Sequence, residues 1–256
     1  MALRALSVAA TAGRALMHQI DAIANNIANA NTPAYKRTRV RFADLLAQRL
    51  HGAGGSPGTG VRVASTEKVF DPGTLQRTGL DLDLAIEGEG FLRVLLPDGS
   101  AAYTRGGRLR IDEQGVLVTQ EGYPIDPPVV LPEGIERVVI DPAGRVQGLD
   151  PDTGETVEDM GQLGMTRFLN PSGLEPLGGN LYQATPSSGA GLEGLPGDEA
   201  GCGWIRQGFL ESSNVDVTKE LTDLIAAQRA FELNGKVIQA ADEILQAVNN
   251  LRREKA

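Results

Sequence analysis

The sequence is poor in the residue types that carry most enzyme chemistry and most covalent cross-links. It contains one cysteine, Cys202, and two histidines, His18 and His51, and only 4% of its residues are aromatic. A single cysteine cannot form an internal disulfide, and so few aromatic side chains predict a mainly aliphatic core. No apolar run approaches the roughly 20 residues that a membrane-spanning helix requires.

Basic residues are also fewer than acidic residues. The 256 residues include 24 Lys and Arg against 33 Asp and Glu, which gives a formal net charge of −9. That balance argues against nucleic acid as the main partner. Hydrophobic residues make up 41% of the chain, so we expect it to be globular, with one large domain or two modest ones.

Candidate catalytic and ligand-binding groups are few. His18 falls within a predicted helix and His51 enters a glycine-rich loop, and neither has a nucleophile motif beside it. Asp81 and Asp83 share one strand face and could hold a cation, but such alternation is more typical of a solvated face. The loop 51–60 (HGAGGSPGTG) lacks the Lys-Ser/Thr pair of a phosphate-binding loop. We therefore expect no catalytic, cofactor-binding or metal-binding residues, and no enzyme.

A long amphipathic helix is predicted from Leu3 to Asn31, where Thr32-Pro33 ends it. Its apolar and small residues recur in steps of three and four, the spacing of a coiled-coil seam. These are Leu3, Leu6, Ala10, Gly13, Met17, Ile20, Ala24 and Ile27. The asparagines at the end of this helix have two interpretations, a frayed helix terminus or amides that bond backbone groups across subunits. They are Asn25, Asn26, Asn29 and Asn31.

A second long helix is predicted from Val217 to Leu251. Its main stripe repeats every seven residues, at Val217, Leu224, Phe231, Ile238 and Leu245. The segment 213–216 (SNVD) matches a capping pattern that precedes an apolar helix. The shared heptad spacing predicts that the two terminal helices pair as a coiled coil and also pack against copies of themselves. The alternative is two ordinary helices packed on one globular core.

The middle of the chain changes to a period of two, which predicts strands separated by turns. The predicted strands are 80–87, 91–96, 109–111, 116–118 and 138–140. We therefore predict an α+β fold in which a discontinuous N- and C-terminal coiled-coil domain carries a central antiparallel β-rich domain. The expected divisions are residues 1–34 and 212–256 for the inner helical domain, 35–79 for a connector, and 80–211 for the outer β domain. Within the connector, 35–41 is expected to be solvated or, alternatively, to bind phosphate, and 42–50 to form a short helix.

Several long motifs resemble those of bacterial flagellar rod and hook proteins. They are 25–37 (NNIANANTPAYKR), 213–217 (SNVDV), 228–232 (QRAFE) and 236–243 (KVIQAADE). The middle of the chain is similar to the distal rod branch of that family, and this similarity rests on 82–91 (LDLAIEGEGF), 96–99 (LPDG), 102–105 (AYTR), 170–175 (NPSGLE) and 179–182 (GNLY). The connector at 47–60 is shorter than in familiar distal rod proteins.

The resemblance implies a structural subunit of the driveshaft that joins the flagellar motor to the hook. It implies self-assembly into a helical tube in the periplasm, and export by the flagellar type III apparatus. The implied partners are proximal rod proteins, hook-side proteins, and the P and L ring proteins. A proximal rod or hook subunit of the same family remains an alternative, as does an oligomeric β-domain enzyme or adhesin with helical arms.

Overall fold

The fold is known from a computed structural model, which describes residues 2–45, 60–132, 137–149, 156–198 and 201–253. Within these ranges two α-helices stand at the ends of the chain and β-strands fill the middle. The helices are α1 (Ala2–Ala28) and α2 (Val217–Arg253). The strands are β1 (Thr38–Leu45), β2 (Gly60–Lys68), β3 (Leu75–Arg77), β4 (Leu84–Glu87), β5 (Phe91–Leu95), β6 (Ala101–Thr104), β7 (Leu109–Ile111), β8 (Leu117–Thr119), β9 (Arg137–Ile140), β10 (Arg145–Leu149), β11 (Thr156–Gln162), β12 (Met165–Arg167), β13 (Glu175–Gly178), β14 (Leu181–Gln183), β15 (Leu192–Gly194), β16 (Trp204–Gln207) and β17 (Phe209–Glu211).

The chain forms two compact units. The helical unit comprises Met1–Ala30, Arg37–Val69 and Val215–Ala256, and the β unit comprises Asn31–Lys36 and Phe70–Asn214. The helical unit contains α1, α2 and the antiparallel pair β1–β2, which runs from Thr38 opposite Lys68 to Leu45 opposite Gly60. All the remaining strands belong to the β unit.

Local interactions explain where α1 ends and where α2 begins. The carboxylate of Asp216 accepts hydrogen bonds from the backbone N–H groups of Thr218 and Lys219 at 3.0 and 3.2 Å, which satisfies donors that the first turn leaves free. Asp216 is therefore the cap of α2. The α1 helix ends at Ala28, and the following turn leads to Pro33, which disfavours helical geometry in the residue before it.

The two helices pack against each other in opposite directions, since Ala9 and Asn26 of α1 lie beside Asn234 and Glu220 of α2. The prediction of a coiled-coil domain is nevertheless wrong. A coiled coil buries both apolar heptad positions of each helix in one seam. Several of the predicted seam residues are exposed instead. They are Ala10, Met17 and Ala24 on α1 and Val217, Phe231 and Ile238 on α2. The less exposed α2 positions that recur every seven residues are Glu220, Ala227, Asn234 and Ala241. These side chains are smaller or polar, so α2 contacts α1 along a different face from the predicted one.

The β unit is antiparallel throughout its described strands. Its largest sheet has six strands in the order β13-β14-β6-β5-β12-β15, and a three-stranded sheet has the order β11-β10-β9. Two-stranded pairs are formed by β16 with β4, β17 with β3, and β7 with β8. The main core is aliphatic, as expected, and includes Leu84, Leu117, Val146 and Leu163. Five of the eleven aromatic residues, among them Phe91, Phe168 and Tyr182, form a separate cluster.

The strand predictions for the middle of the chain have mixed outcomes. Strands occur at 91–95, 109–111, 117–119 and 137–140, close to the predicted runs. The alternating run 80–87 forms a strand only over Leu84–Glu87, while Leu80 is exposed. The short helix expected at 42–50 is wrong for Phe42–Leu45, which belong to β1, and the rest of it lies outside the described residues.

Candidate functional site

A buried polar cluster joins α1, α2 and the start of β1 within the helical unit. The side chain of Asn26 is 1% exposed. Its Nδ2 donates to the backbone oxygen of Thr38 at 2.9 Å and to Oε2 of Glu220 at 3.1 Å, while its Oδ1 accepts from the backbone N–H of Thr38 at 2.8 Å. Arg37 Nε lies 3.1 Å from the other carboxylate oxygen of Glu220. The side-chain amide of Asn26 therefore connects the end of α1, through hydrogen bonds, with the first turn of α2 and with β1.

A second polar contact joins the helices nearer to the N-terminus of α1. The Nδ2 atom of Asn234 donates to the backbone oxygen of Ala9 at 2.7 Å. Gly13 makes room for it, because a Cβ atom at Gly13 would lie 3.2 Å from the same nitrogen. Gly13 therefore lies close to α2 within this chain.

The asparagines of the family motif have different surroundings. Asn26 is buried, whereas Asn25 and Asn31 are exposed. Asn29 is half-buried and donates from Nδ2 to the backbone oxygen of Asn25 at 2.9 Å, so it completes the last turn of α1. The hydrogen bonds of Asn26 to Thr38 and Glu220 are made inside the subunit.

The outer sides of α2 carry large apolar residues that α1 does not cover. Ile225, Leu233 and Ile244 are 59%, 61% and 58% exposed, and the helical period places them within about 100° of one another on the side of α2 that faces away from Ala227. Three residues of the predicted α2 stripe, Val217, Phe231 and Ile238, are also exposed, while Leu224 and Leu245 are half-buried. On α1, Leu6, Gly13, Ile20 and Ile27 are half-buried, and the side chain of Leu3 lies outside the described residues. Apolar residues on several sides are typical of a helix with more than one packing partner.

A buried ion-pair cluster holds the segment after α1 within the β unit. Lys36 Nζ lies 2.8 Å from Oε1 of Glu211, and Arg105 Nε lies 2.8 Å from Oε2 of the same carboxylate. The N–H of Gly73 also donates to Oε1 at 2.8 Å, and the N–H of Ala34 donates to the backbone oxygen of Glu211 at 2.7 Å. Glu211 therefore connects its own strand with three other segments of the β unit, at 34–36, 73 and 105.

The electrostatics of this cluster favour an ionised Glu211. Burial alone would raise the pKa of Glu211, but Arg105 and Lys36 together hold the pKa below its usual value. Burial lowers the pKa of Lys36, and the attraction of Glu211 opposes that effect only in part. Arg105 also donates to the backbone oxygens of Ile86, Gly88 and Gly90, so four of its five N–H groups have acceptors. A buried charge requires such extensive hydrogen bonding.

The residues that could have carried chemistry do not assemble into a site. His18 is exposed on α1, and His51 lies outside the described residues. Asp81 and Asp83 pair separately with Arg137 and Arg108. Among the described residues, the His, Cys, Asp and Glu side chains form no group of three suited to a metal ion. Within the same ranges, neither helix has an apolar stretch that would let it span a lipid bilayer.

Three family descriptions match successive parts of the chain. Residues 6–36 match "Flagella basal body rod protein", 85–148 match "Flagellar hook protein FlgE/F/G D1 domain", and 206–251 match "Flagellar basal body rod FlgEFG protein C-terminal". The first match ends at Lys36, and the third begins five residues before Glu211. The buried ion pair between Lys36 and Glu211 therefore connects the end of one match with the beginning of the other.

Similar proteins extend over nearly the whole length. The chain is 40% identical to "Flagellar basal-body rod protein FlgG" of Borreliella burgdorferi over 98% of this chain and 100% of that protein. It is 40% identical to the protein of the same name from Caulobacter vibrioides, again over 98% of this chain and 100% of the relative. The chain belongs to the family of flagellar basal-body rod proteins. It is 30% identical to "Flagellar hook-basal body complex protein FlhP" of Bacillus subtilis over 98% of its length.

Membership of the rod protein family decides the class of function. The chain is a structural subunit of the flagellar distal rod, an axial part of the basal body, and it is not an enzyme. The expectations of a flagellar location and a motility role are confirmed on the same grounds.

Sequence reasoning missed the buried ion-pair cluster. The segment 35–41 was expected to be a solvated connector or a phosphate-binding patch, yet Tyr35 and Lys36 are buried in the β unit. The solvated interpretation is wrong for these two residues. The available signal was the motif itself, because Tyr35 and Lys36 stand inside the segment that carries the resemblance to rod proteins.

Proposed function

We propose that this rod protein assembles with copies of itself into a helical tube that transmits torque from the flagellar motor to the hook. The observation that carries the proposal is the set of exposed apolar side chains on α2. An isolated subunit leaves Ile225, Leu233 and Ile244 largely in water. Burial of such side chains against neighbouring copies supplies the free energy of assembly, at roughly 25 cal/mol for each Å² of apolar surface removed from water.

The distribution of charge favours association through the helical unit. The β unit contains 23 acidic and 10 basic residues, whereas the helical unit contains 10 acidic and 14 basic residues. Neighbouring β units repel each other through their excess negative charge, and the helical units carry a much smaller charge. The terminal segments 1–34 and 212–256 are accordingly proposed as the inner layer of the tube, with 35–79 as connector and 80–211 as the outer β domain.

Subunit packing is assigned to the residues that the heptad spacing selected, together with the asparagines of the family motif. The exposed members of that set, which include Met17, Val217, Phe231 and Ile238, are available for contacts with other copies. The other proposed partners are proximal rod proteins at one end, hook-side proteins at the other, the P and L ring proteins around the tube, and the type III export apparatus that delivers the subunit. Nucleic acid is not a proposed partner.

A charge placed on the exposed apolar side of α2 tests the proposal. Ile225→Glu and Leu233→Glu should each prevent assembly, because a carboxylate buried between subunits has no partner. Gln239→Glu adds the same charge at an exposed polar position of α2 and is the matched control. Sedimentation of each purified full-length variant, with electron microscopy of the pellet, gives the readout. Normal tubes from both apolar-side variants would overturn the proposal, as would a small closed oligomer of the unmodified protein in place of tubes.

A further inference from the structure

The contact between α1 and α2 contains two polar links in an otherwise small-residue surface. Asn26 bonds to Glu220 and to both backbone polar groups of Thr38, and Asn234 bonds to the backbone oxygen of Ala9. We propose that Asn26 and Asn234 set the register in which α1 packs on α2. Through that register they would select which apolar side chains the helix pair presents to neighbouring copies, a consequence that rests on the proposed function.

The buried alanines of the two helices do not define this register. Ala227 and Ala241 are buried on α2 and lie two heptads apart, and Ala9 is buried on α1. A slide of α1 by seven residues, or about 10 Å along the helix axis, moves Ala9 from the height of Asn234 to that of Ala227 or Ala241, where a small residue again meets a small residue. The packing energy of these alanines is therefore similar in either register, and they discriminate poorly between the two.

The polar links discriminate well, because a slide leaves buried groups without partners. A seven-residue slide in one direction places Ala227 where Glu220 now stands, and Asn26 then loses the acceptor for one of its N–H groups. A slide in the other direction carries Asn26 past the first turn of α2. An unsatisfied buried amide costs more free energy than the net gain from an ordinary hydrogen bond. Buried asparagines fix the register of paired helices elsewhere for this reason.

The two links act at well-separated heights. Glu220 and Asn234 are 14 residues apart, which is about 21 Å along α2. One link would leave the helices free to pivot, whereas two links fix both the slide and the inclination. Gly13 supports the second link, because a side chain there would press on the Asn234 amide.

Distance measurement between two spin labels tests the register directly. In a Cys202→Ser background, His18→Cys and Gln239→Cys place one label on an exposed site of each helix, with the lone native thiol removed. The two sites differ in height by about 18 Å in the observed register, so a seven-residue slide changes that offset by about 10 Å. When Asn26 and Asn234 are both present, double electron–electron resonance of the full-length monomer should give one narrow distance between the two labels.

The register variants are Asn26→Leu and Asn234→Leu, which keep the branched shape and the number of heavy atoms while removing the polar links. Each should add a second distance population that corresponds to a slide of about 10 Å, and the double variant should show more of it. Asn25→Leu is the matched control, because Asn25 is the exposed neighbour of Asn26, and its distance should not change. Asn234 is only half-buried, so Asn234→Leu keeps the test informative if Asn26→Leu fails to fold.

The outcomes separate this proposal from the proposed function. If Asn234→Leu and the double variant are folded by circular dichroism and keep the single original distance, the register role is wrong. A broad distance in the protein with both asparagines present would overturn it as well. Tube formation by the same samples is scored independently by electron microscopy, so a fixed register without tubes would count against the assembly proposal alone.

Discussion

Lys36 Nζ lies 2.8 Å from Glu211 Oε1, and neither side chain is exposed to solvent. Lys36 belongs to the segment that follows α1, and Glu211 ends the last strand before α2. The pair therefore connects, inside the β unit, the two stretches of chain that lead to the terminal helices.

Removal of Lys36 should cost much more stability than removal of an exposed partner. Lys36→Met leaves Glu211 buried with one cation fewer, and loss of one partner of a buried pair costs about 3–5 kcal/mol. The control is Arg206→Met, which breaks an exposed pair with Glu87 at 2.5 Å and should cost less than about 1 kcal/mol. Urea unfolding of both full-length variants gives the two values. Equal losses would show that the buried cluster contributes no more than a surface pair.

The same cluster predicts how stability depends on pH. The pKa of Glu211 lies below its ordinary value of 4.5, because Arg105 and Lys36 outweigh the effect of burial. Its ionised form is therefore favoured by folding, and the resulting stability is fully present above pH 4.5 and lost as the pH falls through the lower folded pKa. Glu211→Gln cannot titrate, so its free energy of unfolding should fall less steeply with pH below 4.5 than that of the unmodified protein. Parallel curves for the two proteins in that range would refute this assignment.

Two helical glycines should respond in opposite ways to a larger side chain. Gly13→Leu introduces volume against Asn234, and overpacking of this kind costs about 1–3 kcal/mol. Gly235 of α2 has open space around its missing Cβ, so Gly235→Ala should stabilise the helix by up to about 1 kcal/mol. Thermal unfolding measures both changes, and tube formation should fail for Gly13→Leu alone. A stabilised Gly13→Leu would mean that Asn234 can move aside freely.

Elements set by local pattern could be predicted from the sequence. The helix beginning at Val217 was predicted at its observed start, because Asp216 is a capping residue followed by an apolar repeat. The strand at Phe91–Leu95 was also foreseen, since its run of strand-forming residues ends at a turn. The strand predicted at 80–87 was only half right, since the observed strand begins at Leu84. Leu84, Ala85 and Ile86 are all buried, and an alternating pattern does not describe a strand that is covered on both faces.

Features created by tertiary packing could not be predicted in the same way. The heptad spacing selected the large side chains of α2 for its contact with α1, yet Phe231 is exposed and Ala227 is buried. Periodicity identifies the apolar stripes of a helix. When a helix has several packing partners, periodicity does not show which stripe contacts which partner. Lys36 gave no sign of burial either, because a charged residue enters a core only where distant partners such as Glu211 meet it.

The central claim is that the apolar side chains exposed on α2 become buried when subunits assemble. Hydroxyl-radical footprinting of the full-length protein, first as monomer and then as sedimented polymer, measures this directly at Ile225, Leu233 and Ile244. Leu84, which is already buried in the subunit, provides the internal reference. We expect strong protection of the three α2 residues in the polymer and an unchanged signal at Leu84. Equal labelling of the three residues in monomer and polymer would contradict the claim.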